Sequence, residues 1–396
     1  MRILVFEYSG HPFSVQLSRE LARRGHEVVH SWSAGFQSPK GNLAVQPDDP
    51  PTFSIMPVRN KAQFAKNSFF RRRQQEVEVG RELARLCAEV RPDVVLAGNA
   101  PLDCERQILA QAQKQGAKFV FWLQDIYSRA ISAVVPRKFP VIGHAVAAWY
   151  RHLEFRMLRE SDHVVTITHD FLPLLTAQGV DPQRVTIIEN WGALADLPLH
   201  PRDNPWASEH MPGEGLRVVY SGTLGYKHNP RLLLDLARAL PQASVHVFSE
   251  GDVVAKLAEN ARSEGLANFA THPWVPIEHL SLMLSGADMF VTVIEPEAGV
   301  YSVPSKVLSY LSIGRPILAS VPPENLAARL IVDHEAGIVA PPGEEQQLIE
   351  QARALATDPA LRERMGDNGR AYAARAFDIA VIADRFEAIF AAPGSR

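Results

Sequence analysis

The chain reads YSVPSKVLSYLSIGRP from residue 301 to residue 316, and the flanking residues show how this stretch folds. Ahead of it, residues 288–294 form an apolar, β-branched run (DMFVTVI), which is typical of a buried parallel strand. The run PILASV that follows has the same character. Between them, Pro304 favours an extended residue before it, Ser305 is predicted to cap a helix, and Gly314 is predicted to end it. The stretch therefore predicts a strand, a helix and a second parallel strand.

The start of this helix is a candidate anion site. A helix N-terminus presents unpaired N–H groups and the positive end of the helix dipole, so it favours a negatively charged group. Lys306 lies in the first turn, where a cation is normally unfavourable. A bound phosphate would compensate that charge, whereas a solvated lysine on an ordinary helix is the simpler alternative.

The same alternation of strand, loop and helix runs along most of the chain. Residues 196–215 interrupt it with Pro, Asp and Gly and no periodicity, which is typical of a linker. The pattern predicts an α/β protein with two doubly wound, Rossmann-like domains that face each other across a cleft. We expect the first domain at residues 1–195, the second at 216–377, and a C-terminal helix at 378–396 that could cross back to the first.

Composition and charge argue against several classes of protein. The 396 residues are 46% hydrophobic and carry a formal net charge of -3, which argues against general nucleic-acid binding. Residues 1–200 have a formal charge of +4 and the remaining residues -7, so the two halves face different surroundings or one carries a basic patch. The two cysteines, Cys87 and Cys104, form no disulfide framework or metal-binding spacing, which suits a reducing cytoplasm. No apolar run approaches the ~20 residues of a membrane-spanning helix.

One segment of the first half combines aromatic and basic residues. Phe69 and Phe70 precede three arginines, Arg71 to Arg73, at the start of a predicted helix. Such a cluster can dock at an anionic membrane surface. The alternative is a solvated helix start whose phenylalanines enter the core. Further along, a long helix is predicted at about residues 141–159.

Polar residues and glycines follow several predicted strands. Gln124 and Asp125 come directly after an apolar strand, at the position where open α/β sheets bind ligands. Gly10 lies in the loop after the first strand, but a single glycine is far short of a dinucleotide fingerprint, so NAD binding is not expected. In the second half, Gly222 and Gly225 form a tight loop after a strand.

The chain resembles the retaining glycosyltransferases of family 4, which have the GT-B fold. The resemblance covers nearly the whole chain and depends on the order and spacing of short motifs. These are GHEV at 25–28, RPDVV at 91–95, IENW at 188–191, YSGTLG at 220–225, WVP at 274–276, PSK at 304–306 and GRP at 314–316. The PSK motif, together with Gln124 and Asp125, is most similar to enzymes that add sugars to lipid-linked precursors of bacterial surface polysaccharides.

The resemblance also implies where this chain departs from its family. Family members usually carry two glutamates eight positions apart, and Tyr301 and Ser309 occupy those positions here. Ser309 would contact the donor ribose in place of the second glutamate. Glu295 or Glu297 would replace the first one, which contacts the donor sugar. Gln124 stands where many relatives use a histidine near the sugar.

The resemblance implies a nucleotide-diphosphate sugar as donor, with no metal or other cofactor. Because cleavage builds negative charge on the diphosphate, cations and backbone N–H groups must meet that charge. The residues expected at the diphosphate are Gly10, Gly222, Lys227, Ser305 and Lys306, and those at the nucleoside and sugar are Trp274, Val275, Tyr301, Pro304 and Ser309. The catalytic candidates are Asp125, Gln124 and Glu297.

Each of these roles has a simpler alternative. Lys227 could be a surface lysine, Trp274 a core residue, and Asp125 a structural residue at a strand end. A nucleotide-sugar epimerase of the same fold, or a nucleotide-sugar-binding partner protein without activity, would also fit the pattern. The expected location is the cytoplasm, with attachment to the inner face of its membrane if the acceptor is lipid-linked. The oligomeric state, the sugar and the nucleobase stay open.

Overall fold

The structure, a computed structural model, describes residues 1–36, 40–59, 69–225, 229–294 and 304–394. The chain divides into two compact units. The first consists of Met1–Glu189 together with Ile379–Arg396, and the second of Asn190–Asp378. Each unit is built around its own parallel sheet, which confirms the predicted fold class of two Rossmann-like α/β domains.

Within the described residues, the first unit holds a sheet of seven parallel strands in the order β3-β2-β1-β4-β5-β6-β7. The strands are β1 (Arg2–Glu7), β2 (Glu27–Ser31), β3 (Phe53–Ile55), β4 (Val94–Gly98), β5 (Lys118–Leu123), β6 (His163–Thr166) and β7 (Val185–Ile187). The central strands are buried because helices cover both faces of such a sheet. These helices are α1 (Pro12–Arg23), α2 (Phe69–Val90), α3 (Leu102–Gln115), α4 (Tyr127–Lys138), α5 (Gly143–Glu160) and α6 (Leu172–Ala177).

The second unit holds a sheet of six parallel strands among the residues described, in the order β10-β9-β8-β11-β12-β13. The strands are β8 (Leu216–Ser221), β9 (Ala243–Phe248), β10 (Phe269–His272), β11 (Met289–Val293), β12 (Ile317–Ser320) and β13 (Gly337–Ala340). Its helices are α7 (Pro205–His210), α8 (Arg231–Ala239), α9 (Asp252–Ser263), α10 (Ile277–Ser285), α11 (Ser305–Ile313), α12 (Leu326–Asp333), α13 (Glu345–Thr357) and α14 (Pro359–Ala376). The strand order reverses between β8 and β11, and ligands of open α/β sheets bind at the carboxyl ends of strands beside such a reversal.

Helix α11 begins differently from the sequence prediction. Pro304 occupies the N-cap position and Ser305 is the first helical residue, so Ser305 is not the cap. The carbonyl of Pro304 accepts a hydrogen bond from the Val307 N–H over 3.1 Å. Proline lacks a side-chain acceptor, and no side chain of the described residues caps this helix. Gly314 ends the helix with a φ of 78°, a left-handed conformation that glycine adopts without strain.

The segment predicted as a linker is an ordered part of the second unit. It contains α7, whose N-cap residue Asn204 accepts from the Ala207 N–H over 3.0 Å. Arg202 in the same segment makes an ion pair of 2.8 Å with Asp288, which precedes β11. The segment has no periodic apolar pattern, and side-chain contacts such as these hold it to the rest of the unit.

The last helix of the described chain, α15 (Ile379–Ala391), belongs to the first unit. Phe386 packs edge-on against Trp122 of β5, with ring centroids 5.2 Å apart. At the helix surface, Glu387 accepts hydrogen bonds from Arg24 over 2.5 Å and His26 over 2.7 Å. The C-terminal segment therefore completes the core that the N-terminal residues begin.

Candidate functional site

Two residues from separate segments of the second unit meet beside the carboxyl end of β8. Gly222 follows β8 with a backbone φ of 118°, a conformation that residues with side chains rarely adopt. A Cβ atom on Gly222 would lie 3.3 Å from Cε and 3.5 Å from Nζ of Lys306. Lys306 comes from the first turn of α11. The glycine therefore keeps the backbone open beside a lysine ammonium, as a phosphate-binding loop requires.

An aromatic residue of β8 positions the ammonium of Lys306. Its Nζ donates to the hydroxyl oxygen of Tyr220 over 2.5 Å and lies 3.8 Å from the centre of the ring. The Tyr220 hydroxyl donates to the carbonyl oxygen of Thr223 over 2.7 Å, so its oxygen is oriented to accept from the lysine. Burial lowers the pKa of Lys306 from 10.5 to about 7. Burial therefore favours the neutral amine, and a bound anion would favour the charged form.

Tyr310 anchors α11 to the sheet. Its hydroxyl oxygen accepts from the Ser221 N–H over 2.9 Å, and its ring stacks on Phe290 of β11 at a centroid distance of 4.0 Å. Burial raises the pKa of Tyr310 above its usual value. The first turn of α11 is therefore fixed next to the loop that follows β8. Ser309 lies on this helix and is half-buried, as is Pro304, whereas Ser305 is exposed.

A cavity of about 280 Å³ lies at the carboxyl ends of β9 and β10, where Ser249, Glu250 and His272 line it. Ser249 is 2% exposed, and its hydroxyl has no hydrogen-bond partner within the described part of the chain. Glu250 accepts from the Trp274 N–H over 3.2 Å, which holds Trp274 and the following Val275 next to this cavity. Both residues are half-buried, so Trp274 is neither a core residue nor fully solvated. The cavity offers hydroxyl and carboxylate groups to a polar ligand.

Three predicted site residues lie outside the described residues: Lys227, Glu297 and Tyr301. Glu295, the alternative to Glu297, also lies there. The structure therefore places Gly222, Lys306, Pro304, Ser305 and Ser309 in one neighbourhood, with Trp274 and Val275 at the ends of other strands of the same sheet.

A buried polar cluster in the first unit was not identified from the sequence. Glu7, the last residue of β1, is fully buried and accepts from the His11 backbone N–H over 2.8 Å. Its carboxylate also contacts the His11 Nδ1 atom at 3.0 Å and accepts from the Asn99 Nδ2 atom over 2.7 Å. Asn99 follows the neighbouring strand β4 and accepts from the hydroxyl of Tyr127 over 2.9 Å. The cluster thus joins the carboxyl ends of two adjacent strands.

Glu7 and His11 form a charged pair. Burial alone would raise the pKa of Glu7, but the charge of His11 and the hydrogen bonds from His11 and Asn99 lower it to about 2. Burial alone would lower the pKa of His11, but the Glu7 carboxylate outweighs burial and raises it. The carboxylate is ionised at neutral pH, and its charge favours the protonated form of the imidazole. Because Nδ1 faces Glu7, Nε2 is the atom that can meet a substrate.

The residues predicted in the first unit lie at the same edge of its sheet. Asp125 follows β5 and is half-buried, and its charge contributes to the raised pKa of His11. Gln124 is 7% exposed. Gly10 lies in the loop between β1 and α1 with a φ of 76°, and its carbonyl accepts from the Gly41 N–H over 2.8 Å. The sequence placed these residues at strand ends but gave no indication of their link to Glu7 and Asn99.

Weak signals in the sequence could have identified the residues that were missed. Glu7 is an acidic residue at the end of an otherwise apolar strand, and His11 follows it at a spacing of four. Glu250 likewise comes two residues after β9. In the described ranges, no three His, Cys, Asp or Glu side chains are grouped so that they could hold a metal ion.

The basic cluster of α2 is engaged by acidic neighbours. Arg72 makes an ion pair of 2.8 Å with Glu76, and Arg73 makes one of 3.1 Å with Asp103 of α3. All three arginines, Arg71 to Arg73, are exposed. Among the helices of the described ranges, none combines the length and apolar character needed to cross a bilayer.

Comparisons with known proteins assign the two halves of the chain separately. The model of the glycosyl transferase 4-like domain matches residues 11–191, and the model of the glycosyl transferases group 1 matches residues 206–372. The Escherichia coli K12 protein WcaI, which is named as a colanic acid biosynthesis glycosyl transferase, is 24% identical over 57% of this chain and 56% of its own.

Solved structures match over almost the full length. Anabaena HepE in complex with UDP and glucose has a TM-score of 0.72 at 16% identity, with 98% of each chain covered. Sucrose-phosphate synthase from Thermosynechococcus elongatus has a TM-score of 0.73 at 15% identity, with the same coverage. WaaG, a glycosyltransferase involved in lipopolysaccharide biosynthesis, has a TM-score of 0.70 at 15% identity and covers 99% of this chain and 100% of its own.

Proposed function

By the domain families of both its units and by its fold the chain is a GT-B glycosyltransferase, and on this basis we propose that it moves a sugar from a nucleotide-diphosphate sugar to an acceptor hydroxyl. The observation that carries the proposal is the proximity of Gly222 and Lys306 at the carboxyl end of β8. A diphosphate leaving group gains negative charge as the glycosidic bond breaks. An ammonium and backbone N–H groups already in place lower the energy of that charge, because they need no reorganisation during the reaction.

The second unit takes the donor in this proposal. Lys306 and the start of α11 at Ser305 contact the diphosphate. Lys227 is a further candidate for the diphosphate and Tyr301 for the nucleoside and sugar, and both lie outside the described residues. Trp274, Val275 and the cavity beside Glu250 receive the nucleoside. Ser309 is too short to bind a ribose as strongly as a carboxylate would. Glu250 is therefore the best-placed carboxylate for that contact among the described residues of this unit.

The first unit takes the acceptor. Asp125 orients or deprotonates the acceptor hydroxyl, with Gln124 beside it. His11, held by Glu7, donates from Nε2 to an oxygen of the substrate. We further propose that the sugar is transferred with retention, with departure of the leaving group and attack on one face, so that no fixed nucleophile is needed. Glu297 is the candidate to contact the transferred sugar.

The names of two relatives support a proposal for the class of acceptor. WcaI is named for colanic acid biosynthesis and WaaG for lipopolysaccharide biosynthesis. We propose a glycan or lipid-linked acceptor of a bacterial surface polysaccharide, which places the chain in the cytoplasm and at the inner face of its membrane. Activity without a metal ion is also part of the proposal, because Lys306 already supplies a cation beside Gly222.

Two measurements test this function. A thermal-shift panel of UDP-, GDP- and dTDP-sugars finds the donor, since a tight ligand stabilises the folded chain. Donor turnover is then followed with and without lipid-linked acceptor. Glycosylated acceptor supports a transferase, isomerised donor would indicate an epimerase, and binding without turnover would indicate a partner protein. Activity that is lost in EDTA and restored by Mg²⁺ or Mn²⁺ would contradict the metal-free mechanism.

A further inference from the structure

Exposed apolar side chains concentrate in one short segment of the first unit. Of the ten large hydrophobic residues that are exposed in the described chain, four lie between residues 134 and 149. They are Val134 at 61% exposed, Val141 at 94%, Ile142 at 56% and Trp149 at 40%. Single exposed hydrophobic residues are ordinary, but a group of this kind marks an interaction surface.

These side chains are presented by a well-defined helical hairpin. Helices α4 and α5 are joined by a turn in which the Gly143 N–H donates to the carbonyl of Phe139 over 2.7 Å. A Cβ atom on Gly143 would lie 2.6 Å from the Cα atom of Pro136, so glycine permits the close packing of the two helices there. Val141 and Ile142 lie in this turn, which directs them away from the unit's core.

The same hairpin is strongly basic. Residues 127–160 hold six arginines and lysines against two glutamates, a formal charge of +4. One of the glutamates, Glu154, is fully buried and accepts from the backbone N–H groups of Tyr127 over 2.8 Å and Ser128 over 3.1 Å. Glu154 thus caps the N-terminus of α4 from within the core, and its carboxylate lies away from the basic side chains at the surface. Arg137 and Lys138 are exposed in the last turn of α4, next to the apolar turn.

We propose that this α4–α5 surface, made of Val134, Val141, Ile142 and Trp149 with Arg137 and Lys138, docks the first unit on an anionic lipid bilayer. Aliphatic and indole side chains enter the boundary of headgroups and acyl chains, and basic residues beside them attract anionic lipids. A second copy of the chain is the less favourable occupant. A symmetric dimer through this face would bring two segments of charge +4 together.

The surface continues along α5. Trp149, His152 and Arg156 line a groove of about 350 Å³ together with Arg106 of α3. The groove combines apolar walls with two guanidinium groups, of which Arg156 forms an ion pair of 2.7 Å with Glu160, so Arg106 contributes most of its positive charge. Arg73 of α2 lies over the Trp149 ring at 5.6 Å from its centroid. The arginines of α2 therefore border this surface, although Asp103 partly neutralises Arg73.

The experiment is vesicle sedimentation of the full chain with phosphatidylglycerol-containing and pure phosphatidylcholine vesicles, at low and high salt. The test variants are Val141→Ser/Ile142→Ser and Arg137→Ser/Lys138→Ser. The matched control is Val45→Ser/Val381→Ser, which removes two exposed valines of the same unit, 58% and 53% exposed. Circular dichroism verifies that each variant is folded. Analytical ultracentrifugation reports on self-association.

We expect wild type and control to sediment with anionic vesicles only, and less at 1 M salt, where the Debye length is about 3 Å. Each test variant should bind anionic vesicles at least about tenfold more weakly than wild type. The variant Arg71→Ser/Arg72→Ser/Arg73→Ser should lose less affinity than Arg137→Ser/Lys138→Ser, because Arg72 and Arg73 are ion-paired. Equal binding by wild type and test variants, or no binding to anionic vesicles, would overturn the proposal. So would a dimer that Val141→Ser/Ile142→Ser dissociates. Donor turnover with a soluble acceptor should be unchanged in the test variants, so failure here would leave the proposed transferase activity intact.

Discussion

The ammonium nitrogen of Lys306 lies 2.5 Å from the hydroxyl oxygen of Tyr220, although 85 residues separate the two in the chain. The tyrosine comes from β8 and the lysine from α11, and Gly222 lies beside both. This arrangement fixes the position of the Lys306 ammonium and partly shields it from solvent. A half-buried lysine with no carboxylate partner among the described residues is unfavourable unless an anion is bound, which is why we assign it to the donor phosphates.

Replacing Lys306 with alanine should reduce donor turnover by about 100-fold or more, because one lost charge-stabilising contact costs about 3 kcal/mol of barrier. The fold should persist, since Tyr310 anchors α11 independently. Lys256→Ala is the matched control, because this lysine is exposed on α9 and pairs with Glu259. Normal turnover by the Lys306→Ala variant would show that the lysine does not contact the donor phosphates. The same loss is expected for Lys227→Ala.

Donor affinity should fall as pH rises above 7. The pKa of Lys306 is about 7 in the free chain, and a bound diphosphate would raise it. Binding must therefore take up a proton at pH 8 to 9, and the affinity should fall by up to about tenfold per pH unit in this range. Isothermal titration calorimetry in buffers of different ionisation enthalpy measures that uptake. In the Lys306→Arg variant binding should show no uptake, and uptake equal to wild type would contradict the assignment.

The pair of Glu7 and His11 should shape the pH profile of turnover. Replacing His11 with glutamine should lower turnover at least tenfold, because a charged donor at the sheet edge is lost. Glu7→Gln should instead keep activity but move the alkaline limb of the profile to lower pH, since the carboxylate raises the pKa of His11. Steady-state kinetics between pH 5 and 9 separate the two effects. An unshifted profile for Glu7→Gln would give the pair a structural role only.

Acid should destabilise the first unit through His30. This side chain is fully buried, and burial lowers its pKa from 6.5 to about 4. Below pH 6.5 the unfolded chain binds a proton that the folded chain does not, so the free energy of unfolding decreases until pH 4, by about 3 kcal/mol in total. Thermal midpoints from pH 7 to 4 should fall less steeply for His30→Gln than for wild type. His144→Gln, on the exposed surface of α5, should follow wild type.

The sequence predicted those features of the candidate site that depend on neighbouring residues, and it missed those that depend on distant ones. Lys306 was identified because Pro304 and Gly314 delimit its helix, and those limits depend on neighbouring residues only. Glu7 was missed because its partner Asn99 lies 92 residues away and meets it only through the pairing of β1 with β4. Glu250 and Trp274 are likewise joined only by the pairing of β9 with β10.

The surface proposed to bind lipid was likewise predicted only in part from the sequence. A single helix was expected at about residues 141–159, and α4 was not predicted. Helix α4 contains Pro136, a residue that is unfavourable inside a helix. Its N-terminus is capped by Glu154, a residue of the next helix. The start of α4 is therefore stabilised by a tertiary contact and not by a local capping motif.

The sequence by itself determined the alternation of strands and helices and the presence of two parallel sheets. Buried β-branched runs, glycines and prolines act over a few residues, so their effect can be predicted without a partner. Only the tertiary structure decided which strand ends adjoin, that the last helix joins the first unit, and that Lys306 lies half-buried against Tyr220. Burial and hydrogen bonding between distant residues set the charge and position of each group, and neither is encoded in a short segment.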